Sequence, residues 1–293
     1  MQKRCFLSIA LHPEAAKKLN DNFHVTQSVK ELQFADAAVV YSPDPNWDFL
    51  KCNRLKIIAC HAADNNIANT CRKNNILVFE STRIWRTVAE HTVALLLSAI
   101  RNIPAADNDV KNDNWKNHED LKIKHSGLDI YGKTVGIWGL GKIGKYIAWM
   151  LNGFDVEVVY NDVIHLNAME EQQLGVTFRS GDDFFATIDY LIMMLPLNEN
   201  TRGIMNDSIF NKIKKQIVLV NSARAGLIEE SSLQKAIENN VVISCAMDVL
   251  WKEASPLPDW IKKNKRIITV PHLGGSTKEC DMELVNEVIS IFK

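Results

Sequence analysis

Three polar residues in the last third of the chain are of types that can move protons and hold anions. Arg224 lies in NSARAGLIEE just after the apolar run IVLVN, Glu253 follows Asp248 in MDVLWKEASPLP, and His272 lies in VPHLGGST after ITV. The planar fork of an arginine donates hydrogen bonds in pairs, which suits a carboxylate or a polarised carbonyl. A histidine beside a carboxylate is a general acid/base that titrates near neutrality. Each residue also has an ordinary reading: Arg224 in a surface ion pair, Glu253 solvated, His272 capping a helix.

A second signal concerns phosphate. In KTVGIWGLGKIGKYIAWML, Gly139-Leu140-Gly141-Lys142-Ile143-Gly144 forms G-x-G-x-x-G between an apolar run and a helical pattern. The first glycine permits a tight turn, the second lets backbone approach a pyrophosphate, and the third lets helix pack on strand. The helix N-terminus then offers unpaired N–H groups and a favourable dipole. Asp162 ends the following run, VEVVYND, 23 positions after Gly139. That is close to the spacing at which a carboxylate accepts from both ribose hydroxyls and repels a 2′-phosphate, so the spacing points to NAD rather than NADP. Residues alone therefore lead to an NAD-binding protein with redox chemistry as the expectation.

The elements that must position these residues are short apolar runs alternating with helix-period segments. Strands are expected at 5–10, 37–41, 55–60 and 76–79, and again at 134–138, 156–160, 188–195, 216–221, 242–247 and 267–270, with helices at 13–20 and 277–292. This rhythm predicts an α/β protein of two Rossmann-like, doubly wound parallel-sheet domains with a cleft between them. The segment VAEHTVALLLSAIRN, residues 88–102, is apolar nearly all round and should be buried between domains or at a dimer interface. Residues 105–126 are weakly patterned and read as a connector with some surface helix. The expected division is 1–100 with the C-terminal helix 276–293 for a substrate domain, and 101–275 for the NAD-binding domain.

Composition fits this plan. The chain has 293 residues, 34 Lys+Arg against 35 Asp+Glu, and interspersed charge, which gives no reason to expect nucleic acid or a membrane surface as partner. Cys5, Cys52, Cys60, Cys71, Cys245 and Cys280 show no C-x-x-C pair and no metal-ligand rhythm, so they read as free thiols of a reducing, cytoplasmic compartment, with no metal. The start, MQKRCFLSIALHP, superficially resembles a signal peptide but lacks a small-residue cleavage site and reads as a first strand. The longest apolar stretch, 93–100, is far below the ~20 residues of a membrane span.

Several blocks, in order, carry a resemblance: VAEHTVALLLSAIRNIP, GLGKIG, MLPLNENTRGIMN, VNSARAGLIEE, CAMDVLWKE and PHLGGSTKE. The chain resembles the D-isomer-specific 2-hydroxyacid dehydrogenase family, and HLGGST leans toward its phosphoglycerate-dehydrogenase branch. The resemblance implies His272 as acid/base at the substrate's 2-oxygen, Glu253 on its other ring nitrogen, and Arg224 on the substrate carboxylate and 2-keto oxygen. It implies Asp248 at the nicotinamide carboxamide and Lys142 and Ile143 at the pyrophosphate. Leu195 and Pro196 would flank the adenine end, and Ser222, Ala223, Gly274 and Gly275 the nicotinamide pocket. A homodimer joined through the apolar helix is implied as well.

The chain also departs from the family. The substrate loop, usually glycine-rich before Asp-Asn, is Cys60-His61-Ala62-Ala63-Asp64-Asn65; backbone N–H of Ala62 and Ala63 could still bind a carboxylate, with less room. The Arg-Ser-Arg that holds a substrate phosphate is replaced by Tyr41-Ser42-Pro43-Asp44. Either the substrate lacks that phosphate or His61, Arg83 and Arg86 stand in. Trp85, between those arginines, reads either as a lid or as an interface residue. Ala254 stands where a proline is usual. The end at Lys293 carries the expectation that no regulatory serine-binding module follows. The leading expectation is NAD-dependent interconversion of a small anionic D-2-hydroxy acid and its 2-keto acid. Oxidation of formate or phosphite, and an NAD(H)-sensing scaffold or co-repressor, are the alternatives.

Overall fold

The structure, a computed structural model, describes every residue except 1, 45, 49, 50, 64, 253 and 254, and the side chains of all described residues but 65, 113 and 114. The chain packs as two compact units, 1–87 with 275–293, and 88–274. The division falls inside the long helix Ile84–Ile100, most of which packs with the second unit, whereas the sequence reading ended the first domain at 100.

The first unit is built on five parallel strands, β1 (Arg4–Leu7), β2 (His24–Thr26), β3 (Ala37–Val40), β4 (Ile57–Cys60) and β5 (Leu77–Glu80), in the order β2-β1-β3-β4-β5. β3 and β4 are AAVV and IIAC, buried at every position, as parallel strands covered on both faces should be. The helix Pro13–Asn22 and the C-terminal helix Lys278–Ser290 cover one face, bringing Ala15 and Leu19 against Leu284, Val285 and Val288.

The second unit has seven parallel strands: β6 (Thr134–Trp138), β7 (Glu157–Asn161), β8 (Val176–Phe178), β9 (Tyr190–Met193), β10 (Ile217–Asn221), β11 (Val242–Met247) and β12 (Ile267–Thr269). Their order is β12-β11-β10-β9-β6-β7-β8, so the direction of winding reverses between β6 and β9. At such a switch point the loops leaving neighbouring strands part and open a crevice beyond the carboxyl ends. The long helix closes one side of this unit's core with Val93, Leu96 and Ala99. It begins four residues earlier than the sequence pattern suggested and ends before Asn102, whose φ of 53° is left-handed.

The connector is more ordered than its composition suggests. Helices Ile103–Asp109 and His118–Lys124 are joined by a π-helical turn and a 3-10 turn. Asp109, buried, accepts from Lys124 (2.6 Å), His125 (2.9 Å) and Lys265 (3.0 Å), which hold its carboxyl below the usual range and tie the connector to the turn before β12. A buried carboxylate needs such donors in place of water. Among the described residues, no helix is long and apolar enough to cross a membrane.

Candidate active site

β6 ends at Trp138, and the chain turns sharply at Gly139, whose φ is +104°. A methyl group on Gly139 would sit 2.7 Å from the Met194 carbonyl and 2.8 Å from the Leu195 nitrogen. A methyl on Gly144 would run into the carbonyl oxygen of Gly139. These two glycines exist so that the turn, the helix Lys142–Leu151 and the loop after β9 can touch. Gly141 is different: its backbone is extended and a methyl there would meet no protein atom within 4 Å. It is also the N-cap of that helix, gives no side-chain cap, and is followed by a first turn without an acidic residue. The N–H groups of Lys142 and Ile143 thus lie at a helix start that attracts an anion.

Asp162, just beyond β7, is tied to the same turn. Its Oδ2 accepts from Leu140 N–H at 2.6 Å and its Oδ1 from Ile164 N–H at 3.0 Å. Each oxygen keeps a second lone pair with which to accept a hydroxyl. Leu195 and Pro196 leave β9 beside Gly139, so the glycine turn, Asp162 and this loop are one assembly at the switch point.

Three further strands position the polar residues expected to move protons. Because β10, β11 and β12 are parallel neighbours, Arg224, Asp248 and His272 follow their carboxyl ends in sequence. Asn221, fully buried at the end of β10, donates to Arg224 O and accepts from Ala223 N–H, both at 3.0 Å, which shapes the loop 222–224. Arg224 is exposed, and its Nη1 donates to Ala223 O at 2.7 Å. Ser222 lies 2.5 Å from Thr92 Oγ1. Thr92 gives its one proton to Val88 O, so Ser222 is the donor of that pair.

Asp248 is 1% exposed. Its Oδ1 accepts from the His91 ring (3.1 Å) and Leu273 N–H (2.7 Å), and its Oδ2 from Gly274 N–H (3.0 Å). Burial pushes this carboxyl up, but His91 and the two amides outweigh burial and hold it below the usual carboxylate range. The carbonyl of Asp248 accepts from His272 N–H at 3.0 Å. His272 has a left-handed φ of 55°, a conformation in which histidine is enriched but which needs such anchoring. Glu253 lies outside the described residues.

In the first unit, the N–H groups of His61 and Ala62 both donate to Tyr41 O at 3.0 Å. The Ala62 amide is thus already engaged within the chain, where the sequence reading left it able to bind a substrate carboxylate. His61 requires a correction as a candidate cation. Its ring is 6% exposed, its Nε2 makes no hydrogen bond, and Asp281 Oδ1 is 3.8 Å away. Burial pushes the ring toward neutrality against the opposing pull of Asp281 and Glu283. Arg83 and Arg86 are exposed at the start of the long helix. There Glu283 accepts from Ser81 Oγ, from Thr82 Oγ1 (3.1 Å) and from Arg83 N–H (3.4 Å), so a carboxylate of the chain itself already occupies these donors. Gly275 packs closely, a methyl there meeting Ile84 at 2.5 Å and His61 at 3.2 Å.

The state of His61 has a measurable consequence. A histidine held below its unfolded value contributes stability that is present above about pH 6.5 and is lost as pH falls toward the folded value. Burial raises the Asp281 carboxyl, which accepts from His12 N–H at 2.7 Å. In denaturant titrations His61→Leu should gain stability relative to wild type on going from about pH 7.5 to about pH 5.5. An unchanged difference would show that the ring is not held neutral.

The comparisons with known proteins follow this geometry. Residues 93–274 match the model of the D-isomer-specific 2-hydroxyacid dehydrogenase NAD-binding domain. D-3-phosphoglycerate dehydrogenase of Bacillus subtilis is 32% identical over 271 residues, 90% of this chain and 50% of its own length. The chain belongs to the D-isomer-specific 2-hydroxyacid dehydrogenase family. The D-3-phosphoglycerate dehydrogenase of Mycobacterium tuberculosis is 35% identical over 232 residues, 77% of this chain and 42% of its own length. The chain thus spans about half the length of the curated relatives it matches. The solved phosphoglycerate oxidoreductase of Vibrio cholerae O395 shares the fold, with a TM-score of 0.76, 24% identity, and coverage of 100% of this chain and 99% of that one.

Membership in this family makes NAD the cofactor of the second unit, and the open face at Gly141 together with Asp162 fits it. Asn221, His91 and Thr92 were not singled out from the sequence. Asn221 closes an apolar run and was read as strand, and His91-Thr92 sits in a helix whose apolar residues suggested packing alone. The available signal was a pair of polar residues inside that helix.

Proposed function

We propose that the chain interconverts a small D-2-hydroxy acid and its 2-keto acid, in the manner of phosphoglycerate dehydrogenases and hydroxypyruvate or glyoxylate reductases. The carrying observation is the row of β10, β11 and β12, which sets Arg224 and the anchored His272 on the sheet that also bears the glycine turn. NAD, when bound, supplies or takes up the hydride. His272 passes a proton to the substrate's 2-oxygen or receives it back. Arg224 holds the carboxylate and stabilises the charge that develops on that oxygen. The family resemblance assigns Glu253, which lies outside the described residues, to the other ring nitrogen.

Within that class, the first unit favours a substrate without a phosphate. Its strand-end loops carry Tyr41-Ser42-Pro43-Asp44 and a His61 driven toward neutrality, and Glu283 of the C-terminal helix lies beside Arg83. An added phosphate would meet carboxylates there. The test follows NADH absorbance with glyoxylate, hydroxypyruvate, pyruvate, 2-ketoglutarate and 3-phosphohydroxypyruvate. Hydroxypyruvate should exceed its phosphorylated analogue in kcat/KM by roughly tenfold or more, the effect of one unfavourable charge contact. Turnover of none of them, with NADH still bound, would favour the sensing scaffold. Turnover of formate or phosphite would favour the small-anion reading.

Asp162 offers a check on the cofactor. Asp162→Ser should weaken NADH by roughly tenfold, the worth of one charge-assisted hydrogen bond, and narrow its preference over NADPH in fluorescence titrations. We also place the protein in the cytoplasm as a homodimer. Six buried free cysteines support the first, and the exposed Ile103, Trp115 and Ile123 of the connector support a shared face.

A further inference from the structure

We propose that His91 is a positioning residue for His272, acting through the buried carboxylate of Asp248. The inference rests on the assignment of proton transfer to His272 made above. Asp248 is where three segments meet. Its backbone N–H donates to Asn221 O at 3.0 Å, its carbonyl accepts from His272 N–H, and its side chain takes the amides of Leu273 and Gly274. Two of the three side-chain donors therefore belong to the turn that Asp248 holds. The third, the Nε2 of His91, comes from the long helix at 3.1 Å.

A carboxylate 1% exposed stays ionised only while donors replace the water it has lost. Removing His91 leaves burial less opposed, and the carboxyl moves toward its neutral form. A neutral carboxyl carries a proton on one oxygen, and that oxygen no longer accepts well from the amide facing it. Leu273 or Gly274 is then released, and the turn that sets His272 at a φ of 55° loses part of the bonding that supplements the His272 N–H bonds to Asp248 O and Val270 O. The effect falls on the turn that carries the imidazole and not on the glycine turn that fits the dinucleotide phosphates. The glycine turn follows β6, three strand spacings from β11, or roughly 14 Å across the sheet. One hydrogen bond thus connects the long helix to the turn that bears the acid/base.

The test compares His91→Leu, which keeps volume and loses the donor, with His91→Gln, which carries an N–H of similar reach. His91→Leu should lower kcat roughly 30-fold, the equivalent of one hydrogen bond to a charged group, with KM and NADH affinity within about threefold. Amide exchange at Leu273 and Gly274, read by mass spectrometry, should accelerate in the same variant. His91→Gln should restore kcat to within about fivefold of wild type and restore protection of both amides. Equal losses in the two variants, a change confined to KM or NADH affinity, or unaltered exchange in His91→Leu would each overturn the proposal. Absence of turnover by the wild-type protein overturns the proposed function instead, and the exchange comparison still decides whether His91 holds the turn.

Discussion

Replacing His272 with asparagine will cut turnover of the preferred 2-keto acid roughly 10³-fold, the usual worth of a general acid/base. NADH affinity should stay within about threefold of wild type, because the residues that fit the dinucleotide phosphates and ribose follow β6 and β7. Asparagine is the informative substitution. The position has a left-handed φ of 55°, which asparagine tolerates and alanine does not, so the backbone bonds to Asp248 O and Val270 O survive the change. Reduction of the keto acid needs the ring protonated and oxidation of the hydroxy acid needs it neutral. The two directions in the wild-type protein therefore run with opposite pH trends, and both trends should flatten in the variant. Stopped-flow measurement at saturating NADH separates these effects. Loss of NADH binding in His272→Asn would mean that the residue supports the fold and does not carry the proton.

The parts of this arrangement that the sequence discloses are those where one residue answers a local demand. β6 and β11 fall where their apolar runs predict, because central parallel strands are buried on both faces and cannot be anything but apolar. The glycine fingerprint is legible for the same reason: φ at Gly139 and the contact at Gly144 admit no side chain. β2 and β8 escape notice because each is a three-residue edge strand, HVT and VTF, with too few buried positions to make a pattern. The support of the site is hidden for a deeper reason. His91 and Asp248 stand 157 positions apart, and Thr92 and Ser222 stand 130 apart. No spacing along the chain encodes such pairs, and only the packing of the long helix creates them. His61 teaches the same lesson in reverse. As a histidine in a strand-end loop it looks available for a substrate anion, yet burial drives its ring toward neutrality against the pull of Asp281 and Glu283 of the C-terminal helix.

Valine at Gly141 and valine at Gly139 should fail in opposite ways, and the contrast tests whether the glycine turn faces a ligand. Gly141 has φ −73° and ψ −161°, outside the left-handed region, and an added Cβ meets no protein atom within 4 Å. Gly141→Val should therefore melt within about 2 °C of wild type, as surface substitutions do. A branched side chain at the helix start would nevertheless hold the pyrophosphate away from the Lys142 and Ile143 amides. Loss of two charge-assisted hydrogen bonds weakens NADH by roughly 100-fold or more. Gly139→Val combines a strained left-handed backbone with a collision against Met194 and Leu195, so a loss of about 3 kcal/mol and roughly 10 °C in Tm is expected before any ligand is added. Calorimetry without NADH and fluorescence titration with it separate the two outcomes. If Gly141→Val unfolded as readily as Gly139→Val, or bound NADH as tightly as wild type, the open side of the turn would not be the phosphate side. The β6 end of the sheet would then have to give up the dinucleotide to another crevice.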